Sequence, residues 1–175
     1  ERLLWLAPAS TERAFLLAHH LEQTRDPLEL ACLWTELGEV HLGLGDAAAA
    51  EIAFREALSQ TPGHLTAAAG LGWVLEHQER WSERAELAER EAEALEAPRG
   101  LADGLVTAAK LWEERVGDEA RAIRLYRRVL SSHPGHSDAS ARLQRYHANQ
   151  GEWAELAAVL RAQIACTSDP VTLGR

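Results

Sequence analysis

Eight histidines are the chain's most obvious candidates for metal binding. His133 and His136 have the H-x-x-H spacing with which two imidazoles can hold one metal ion on a helix. They lie, however, in the turn-forming stretch HPGH, where a helical arrangement of ligands does not hold. His147 and Cys166 are too far along the chain to complete the tight ligand grouping of a zinc site. We expect these histidines to have turn or capping roles, and we expect no metal and no other cofactor.

Residues that could act as nucleophiles or bind phosphate lack the surroundings that such chemistry needs. Neither a nucleophile elbow nor a Cys-His signature surrounds Ser59, Ser131 or Cys166. The stretch GLGD at 43–46 has neither the following lysine nor the preceding strand of a phosphate-binding loop. The adjacent glutamates at 113–114 are of a kind common on solvated helix faces. The sequence therefore predicts a protein that is not an enzyme.

Composition and charge favour an all-α protein and disfavour two classes of partner. Apolar residues make up 46% of the 175 residues, which is enough to bury a core, and the abundance of Ala and Leu favours helix over sheet. A formal net charge of -9 and a pI near 5.4 would repel a phosphate backbone, so we expect no nucleic-acid partner. No apolar run approaches the roughly 20 residues that span a bilayer, so we expect no membrane partner.

The use of cysteine, lysine and methionine bears on the origin of the chain. Cys32 and Cys166 lie far apart, which argues against a disulfide framework and favours a reducing, cytoplasmic compartment. Lys110 is the only lysine among 18 basic residues, and this Arg-rich and Ala-rich usage indicates a GC-rich, bacterial source. The chain begins with Glu1 and contains no methionine, so we expect it to be a piece of a longer protein.

An internal repeat organises the sequence. Aligning residues 31–102 with 103–174, without a gap, gives 21 identical residues in 72 positions. The stretches TPGH at 61–64 and HPGH at 133–136 match in this alignment. The segment TERAFLL at 11–17 also resembles SERAELA at 82–88, so the N-terminal part belongs to an earlier unit. A fixed period of this kind predicts a repeat architecture.

Each 72-residue unit divides into four helices. Turn-forming stretches recur about every 17 to 20 residues, and between them apolar residues recur with helical spacing, as in Ile123, Tyr126 and Leu130. The spacing predicts helices over 10–25, 28–43, 47–60, 65–78, 81–97, 102–116, 119–132, 137–149 and 152–166.

Residues 31–64 carry a regular series of small, apolar and turn-forming residues: Trp34, Leu37, Gly38, His41, Gly45, Ala50, Phe54, Ala57 and Pro62. In this order, and with a histidine in place of the usual tyrosine, they resemble the pattern of a tetratricopeptide repeat (TPR), a helical hairpin of about 34 residues. Residues 103–136 keep the second half of the pattern, although Lys110 stands where a small residue is usual. Residues 65–102 and 137–174 match less completely.

The resemblance implies a right-handed α-solenoid of four to five helical hairpins in one domain over residues 1–175. The domain would comprise a partial repeat at 1–30 and repeats at 31–64, 65–102, 103–136 and 137–174. Small residues such as Gly38 and Ala50 let helices approach, while Trp34 and Phe54 fill the space between hairpins. Each hairpin leaves an apolar face that only the next hairpin can bury, so stability is a sum of neighbouring interfaces.

The resemblance also implies which residues could face a partner. In such solenoids the first helix of each hairpin lines a concave groove, while the second helices face outward. The charged helices over 81–97 and 119–132 would then be solvated outer faces or, alternatively, a charged docking surface. The implied groove positions are Cys32, Thr35, Glu39, Leu42, Thr66, Ala69, Trp73, Glu76, His77, Thr107, Leu111, Glu114, Arg115, Asp138, Ala141, Arg145 and Asn149.

The resemblance implies a non-catalytic interaction scaffold that binds a peptide or helix of a partner protein. Tryptophan is over-represented among interface hot spots, so Trp73 is the first candidate anchor, with burial between repeats as the alternative. Thr35 and Glu39 stand where chaperone-binding members carry groove residues that clamp a carboxylate, so that subfamily is disfavoured. Two other interpretations stay open: a structural spacer in a longer array, and self-association through uncapped repeat ends.

Overall fold

The computed structural model describes residues 10–167, and every regular element within that range is helical. The bounds are α1 (Thr11–Gln23), α2 (Pro27–Gly43), α3 (Ala47–Gln60), α4 (Leu65–His77), α5 (Trp81–Glu93), α6 (Pro98–Leu111), α7 (Glu119–Ser132), α8 (Ser137–Gln150) and α9 (Trp153–Thr167). A π-helical segment, Trp112–Val116, continues α6. None of the helices in the described range is long and apolar enough to cross a membrane.

Local sequence explains most helix bounds. Side-chain oxygens of Asp26, Asp46 and Asp118 accept hydrogen bonds from the backbone N–H three residues on, which caps α2, α3 and α7. Helix α6 begins at Pro98, four residues before the predicted bound, because proline suits the first helical position. Helix α5 correspondingly ends at Glu93 instead of 97.

Packing divides the described chain between Leu87 and Ala88 into unit 1 (residues 10–87) and unit 2 (residues 88–167), and the division falls inside α5. Within unit 1, α2 packs on α1, α3 and α4; within unit 2, α6 packs on α7, α7 on α8, and α8 on α9. Most of these contacts, each within one unit, join helices that are neighbours in sequence, which is the contact pattern of successive helical hairpins and is consistent with the predicted α-solenoid. The single domain over 1–175 and the repeat bounds stay predictions.

Phe54 is the centre of unit 1. Its ring is fully buried between Gly38 of α2 and Gly70 of α4, where an added Cβ would lie 2.6 Å and 2.5 Å from the nearest ring atom. Ala50 and Ala57 flank it on α3, and Trp34 packs against both apolar clusters of this unit. The predicted roles of Gly38 and Phe54 in close helix packing are therefore confirmed.

Unit 2 uses the same principle with different residues. Tyr126 is fully buried at the position that corresponds to Phe54 in the 72-residue alignment. An added Cβ at Gly104 would lie 2.7 Å from the Cβ of Ala92, so α6 and the end of α5 are also in close contact. Gly117, with φ +80°, ends the π-helical segment in the left-handed region that favours glycine.

Candidate functional site

Trp73 on α4 is the most conspicuous candidate among the predicted site residues. Its side chain is 48% exposed, so it is not a tryptophan buried between repeats. The indole stacks on the imidazole of His77 one turn later, with ring centroids 3.7 Å apart. His77 Nδ1 lies 2.9 Å from the carbonyl oxygen of Trp73, which fixes the imidazole in this position. The pair forms a pre-arranged aromatic surface, because little side-chain freedom is left to lose on binding.

The other predicted site residues of unit 1 differ in exposure. Glu39, Ala69 and Glu76 are exposed, and Leu42 is half-buried against the core cluster around Phe54. Thr35 is only 4% exposed, so its hydroxyl is not accessible to a partner.

Thr35 instead supports a cluster at the junction of α3 and α4. Its hydroxyl lies 2.7 Å from the carbonyl oxygen of Ala31 and 3.3 Å from Nδ1 of His64. His64 Nδ1 also accepts a hydrogen bond from the backbone N–H of Ala67, and its Nε2 lies 3.7 Å from the Sγ of Cys32. The imidazole therefore caps α4 and joins it to α2.

His136 repeats this arrangement in unit 2. Its Nδ1 accepts a hydrogen bond from the backbone N–H of Ala139, which leaves Nε2 to donate to the Asp103 carboxylate at 3.1 Å. The Pro-Gly-His stretches are thus turns closed by a histidine N-cap, as the sequence predicts for a capping role. No group of three or more residues that could hold a metal occurs in the range 10–167.

The candidate nucleophiles Ser59 and Ser131 have local structural partners. Each hydroxyl donates to a backbone carbonyl three residues earlier, that of Glu56 and that of Arg128, at 2.7 Å in both cases. Such bonds are typical of serine near a helix end.

Unit 2 contains a polar cleft that sequence reasoning missed. The carboxylate of Glu113, in the π-helical segment, receives hydrogen bonds from the Tyr126 hydroxyl at 3.0 Å, Arg142 at 3.0 Å and Arg145 at 2.5 Å. Arg142 also pairs with Glu114 at 2.7 Å. Burial of the hydroxyl and the neighbouring Glu113 carboxylate raise the pKa of Tyr126 well above its usual range.

Two of the predicted site residues, Arg145 and Asn149, line this cleft, whereas Leu111, Glu114 and Arg115 are not among its lining residues. Its volume is about 210 Å³, below the roughly 300 Å³ at which small-molecule pockets begin. The cleft is therefore smaller than an ordinary small-molecule pocket. Apart from the two predicted site residues, the only feature of this cleft that the sequence analysis considered for a function is the pair of adjacent glutamates at 113–114.

The chain is similar to several solved structures, and those with TM-scores of 0.50 or more support the fold. A crystal structure of MamA is similar over 91% of this chain and 90% of its own, with 15% identity and a TM-score of 0.50. A MamA RS-1 double mutant is similar over 96% and 92%, with 16% identity and a TM-score of 0.51. A kinesin light chain of Podospora anserina with nearly identical TPR-like repeats is similar over 97% and 92%, with 16% identity and a TM-score of 0.48.

No protein-family model matches the sequence, and no curated protein does. At such low identity the structural likeness shows the fold alone. That fold, an all-helical succession of TPR-like hairpins, is the one predicted from the residue pattern around Trp34 and Pro62.

Proposed function

We propose that this chain is a non-catalytic protein-interaction module that binds a peptide or helix of a partner protein on the first helices of its hairpins. The observation that carries the proposal is the 48% exposure of Trp73, whose indole is held in a stack on His77 at the surface of α4. A large aromatic side chain that stays exposed does not stabilise the free protein by burial of its apolar surface. The same surface can be buried against a partner, and its burial then stabilises the complex, as at interface hot spots.

The fold supports this proposal because it offers extended helical surfaces. Around Trp73 the exposed positions of α2 and α4 carry small or acidic side chains, including Ala69, Glu39 and Glu76. In unit 2, Arg145 and Asn149 offer polar groups at the cleft. A peptide with an apolar or aromatic contact for Trp73 fits the first surface without displacing any core residue.

The proposal is tested with peptides selected from a random display library on the wild-type protein, followed by calorimetric titration. The variant is Trp73→Ala, and the matched control is Trp153→Ala, whose indole is 68% exposed on α9. Removing a hot spot costs about 2 kcal/mol or more, so we expect roughly a 30-fold loss of affinity for Trp73→Ala. The control should stay within about twofold. Equal affinity for wild type and Trp73→Ala would contradict the proposal, provided that both melt at the same temperature.

A second candidate function, self-association, is favoured by a separate observation. Trp153, Leu160 and Ile164 of α9 are all exposed and lie at helical spacings of seven and four residues, which places them on one face. Sedimentation over a wide concentration range should then show dimers that Trp153→Ala weakens and Trp73→Ala does not. A monomer at every concentration would exclude this candidate without affecting the first.

A further inference from the structure

The negative charge of the protein is concentrated in unit 1. Residues 10–87 contain 13 acidic and 5 basic side chains, a net charge of -8 with histidine neutral. Residues 88–167 contain 12 acidic and 11 basic side chains, a net charge of -1. The aromatic surface around Trp73 therefore lies in the acidic unit, and a cation approaching it is attracted at long range.

The arginines of unit 1 are already engaged with other groups in the same unit. Arg55 and Arg80 form a network with Glu51 and Glu83 on the second helices, with N–O distances of 2.6 to 2.9 Å. The remaining three pair with Glu36, with Glu76 and with backbone carbonyls of residues 22 and 24.

The carboxylates of Glu39 and Glu76 are both exposed, but they differ in their partners. In the part of the chain that the structure describes, no ion pair or hydrogen bond joins the Glu39 side chain to another residue, and Glu39 is exposed. Glu76 is bound to Arg84 through Oε1 and is 46% exposed. Glu39 and Glu76 both belong to the predicted partner-facing positions, whereas Glu51 does not.

Two contacts fix the register of α2 against α4. Cys32 and Thr35 of α2 both lie against His64, and Gly38 and Gly70 press on the same Phe54 ring. The two helices therefore run side by side with an offset of about 32 residues. At a rise of about 1.5 Å per residue, this register places Glu39 within one helical turn of the level of Trp73. Glu76 lies three residues after Trp73 on the same helix, at neighbouring Cβ distance.

From these observations we infer that the surface formed by Glu39, Trp73 and Glu76 binds a cationic segment of a partner, with an arginine guanidinium laid on the indole and its N–H groups directed at the two carboxylates. The inference rests on the proposed function and narrows its partner class. A guanidinium is favoured over an ammonium because it is planar, stacks on aromatic faces and donates in a fork that matches a carboxylate. The charge of unit 1 makes an acidic or uncharged peptide a poorer occupant.

The test uses four fluorescein-labelled peptides of one design, LXALXALXA, in which X is Arg, Lys, Gln or Glu. Binding to the full chain is measured by fluorescence anisotropy at low and at physiological salt. We expect affinity to fall in the order Arg, Lys, Gln, Glu, and Trp73→Ala to weaken binding of the Arg peptide tenfold or more. Added salt should weaken the Arg peptide but leave the Gln peptide unchanged.

Matched charge variants distinguish binding at Glu39 from the general electrostatic attraction of the acidic unit 1. Glu39→Gln and Glu56→Gln each remove one exposed carboxylate of unit 1, on α2 and on α3 respectively. The inference predicts a three- to fivefold loss of Arg-peptide affinity for Glu39→Gln and less than a 1.5-fold change for Glu56→Gln. Equal losses for the two variants would overturn it, because the attraction would then be non-specific.

The other outcomes distinguish the inference from the proposed function. If the Gln peptide binds as tightly as the Arg peptide and both depend on Trp73, the cationic partner class is wrong while the interaction surface stands. If the Arg peptide binds tightly but is insensitive to Trp73→Ala, the arginine site on the indole is wrong. If peptides selected from the library also ignore Trp73, the proposed function fails independently.

Discussion

Replacing Gly70 by alanine should destabilise unit 1 through the ring of Phe54. The new Cβ would lie 2.5 Å from Cζ of that ring, more than 1 Å inside ordinary carbon–carbon contact. The ring cannot move away, because it is fully buried and Gly38 lies close to its other side. A Cβ added at Gly38 would lie only 2.6 Å from the nearest ring atom.

The magnitude follows from two opposing effects. Overpacking of a well-packed core costs about 1 to 3 kcal/mol, and the absence of free space beside Phe54 places Gly70→Ala at the upper end. Alanine in a helix interior is better than glycine by about 1 kcal/mol. The net expectation is a loss of about 2 kcal/mol, or roughly 4 to 8 °C in melting temperature for a chain of this size.

Thermal unfolding followed by far-UV circular dichroism is the assay, with Gly100→Ala as the control. An added Cβ at Gly100 meets its nearest atom at 3.4 Å, an ordinary contact distance, so this variant should melt at the wild-type temperature or slightly above. The double variant Gly70→Ala, Phe54→Leu should lose less unfolding free energy than the sum of the two single variants, because the smaller side chain relieves the clash. A Gly70→Ala protein as stable as Gly100→Ala would refute the packing argument.

Three further predictions concern charge and capping. Hydrogen bonding by the Arg80 guanidinium lowers the pKa of Glu51 below its usual 4.5. The ion-pair network therefore stabilises the fold fully above pH 4.5, and this stabilisation is lost as the pH falls through the lowered pKa of Glu51. Arg80→Ala should therefore cost about 1 kcal/mol at neutral pH in denaturant titrations, with a difference that shrinks below pH 4.5. Because the pKa of Tyr126 is raised above its usual 10, the free energy of unfolding should fall as pH rises beyond 10. Tyr126→Phe should cost about 1 kcal/mol at pH 7, and unfolding curves at alkaline pH should no longer show that fall. His136→Ala should cost about 1 kcal/mol of unfolding free energy through its lost N-cap while His136→Asn keeps the cap; equal stability of the two variants would contradict this role.

Helices and their packing could be predicted from sequence because the relevant features are local or periodic. Asp46 marks the start of α3, and Gly38 with Phe54 follows a spacing that only close helix packing explains. The start of α6 was missed because Pro98 can equally end one segment or begin the next.

The site could be predicted only in part, because side-chain partners depend on which helices meet. The resemblance to a TPR placed Thr35 in the groove, but Thr35 is buried and contacts His64, 29 residues away. The convergence of Tyr126, Arg142 and Arg145 on Glu113 joins three helical segments and leaves no spacing pattern to read. The exposure of Trp73 likewise could not be predicted from the sequence, because it depends on how α2 and α4 pack.

The most direct test of the interaction surface is a nuclear magnetic resonance titration that follows the indole N–H signals of the six tryptophans. The Trp73 signal is assigned by its loss in Trp73→Phe, and the Arg peptide described above is then added to the labelled wild-type protein. We expect the Trp73 signal to shift progressively to saturation, while that of Trp112, which is buried and bonded to Glu89, stays in place. Saturable binding with an unmoved Trp73 signal and a shifted Trp153 signal would contradict the account.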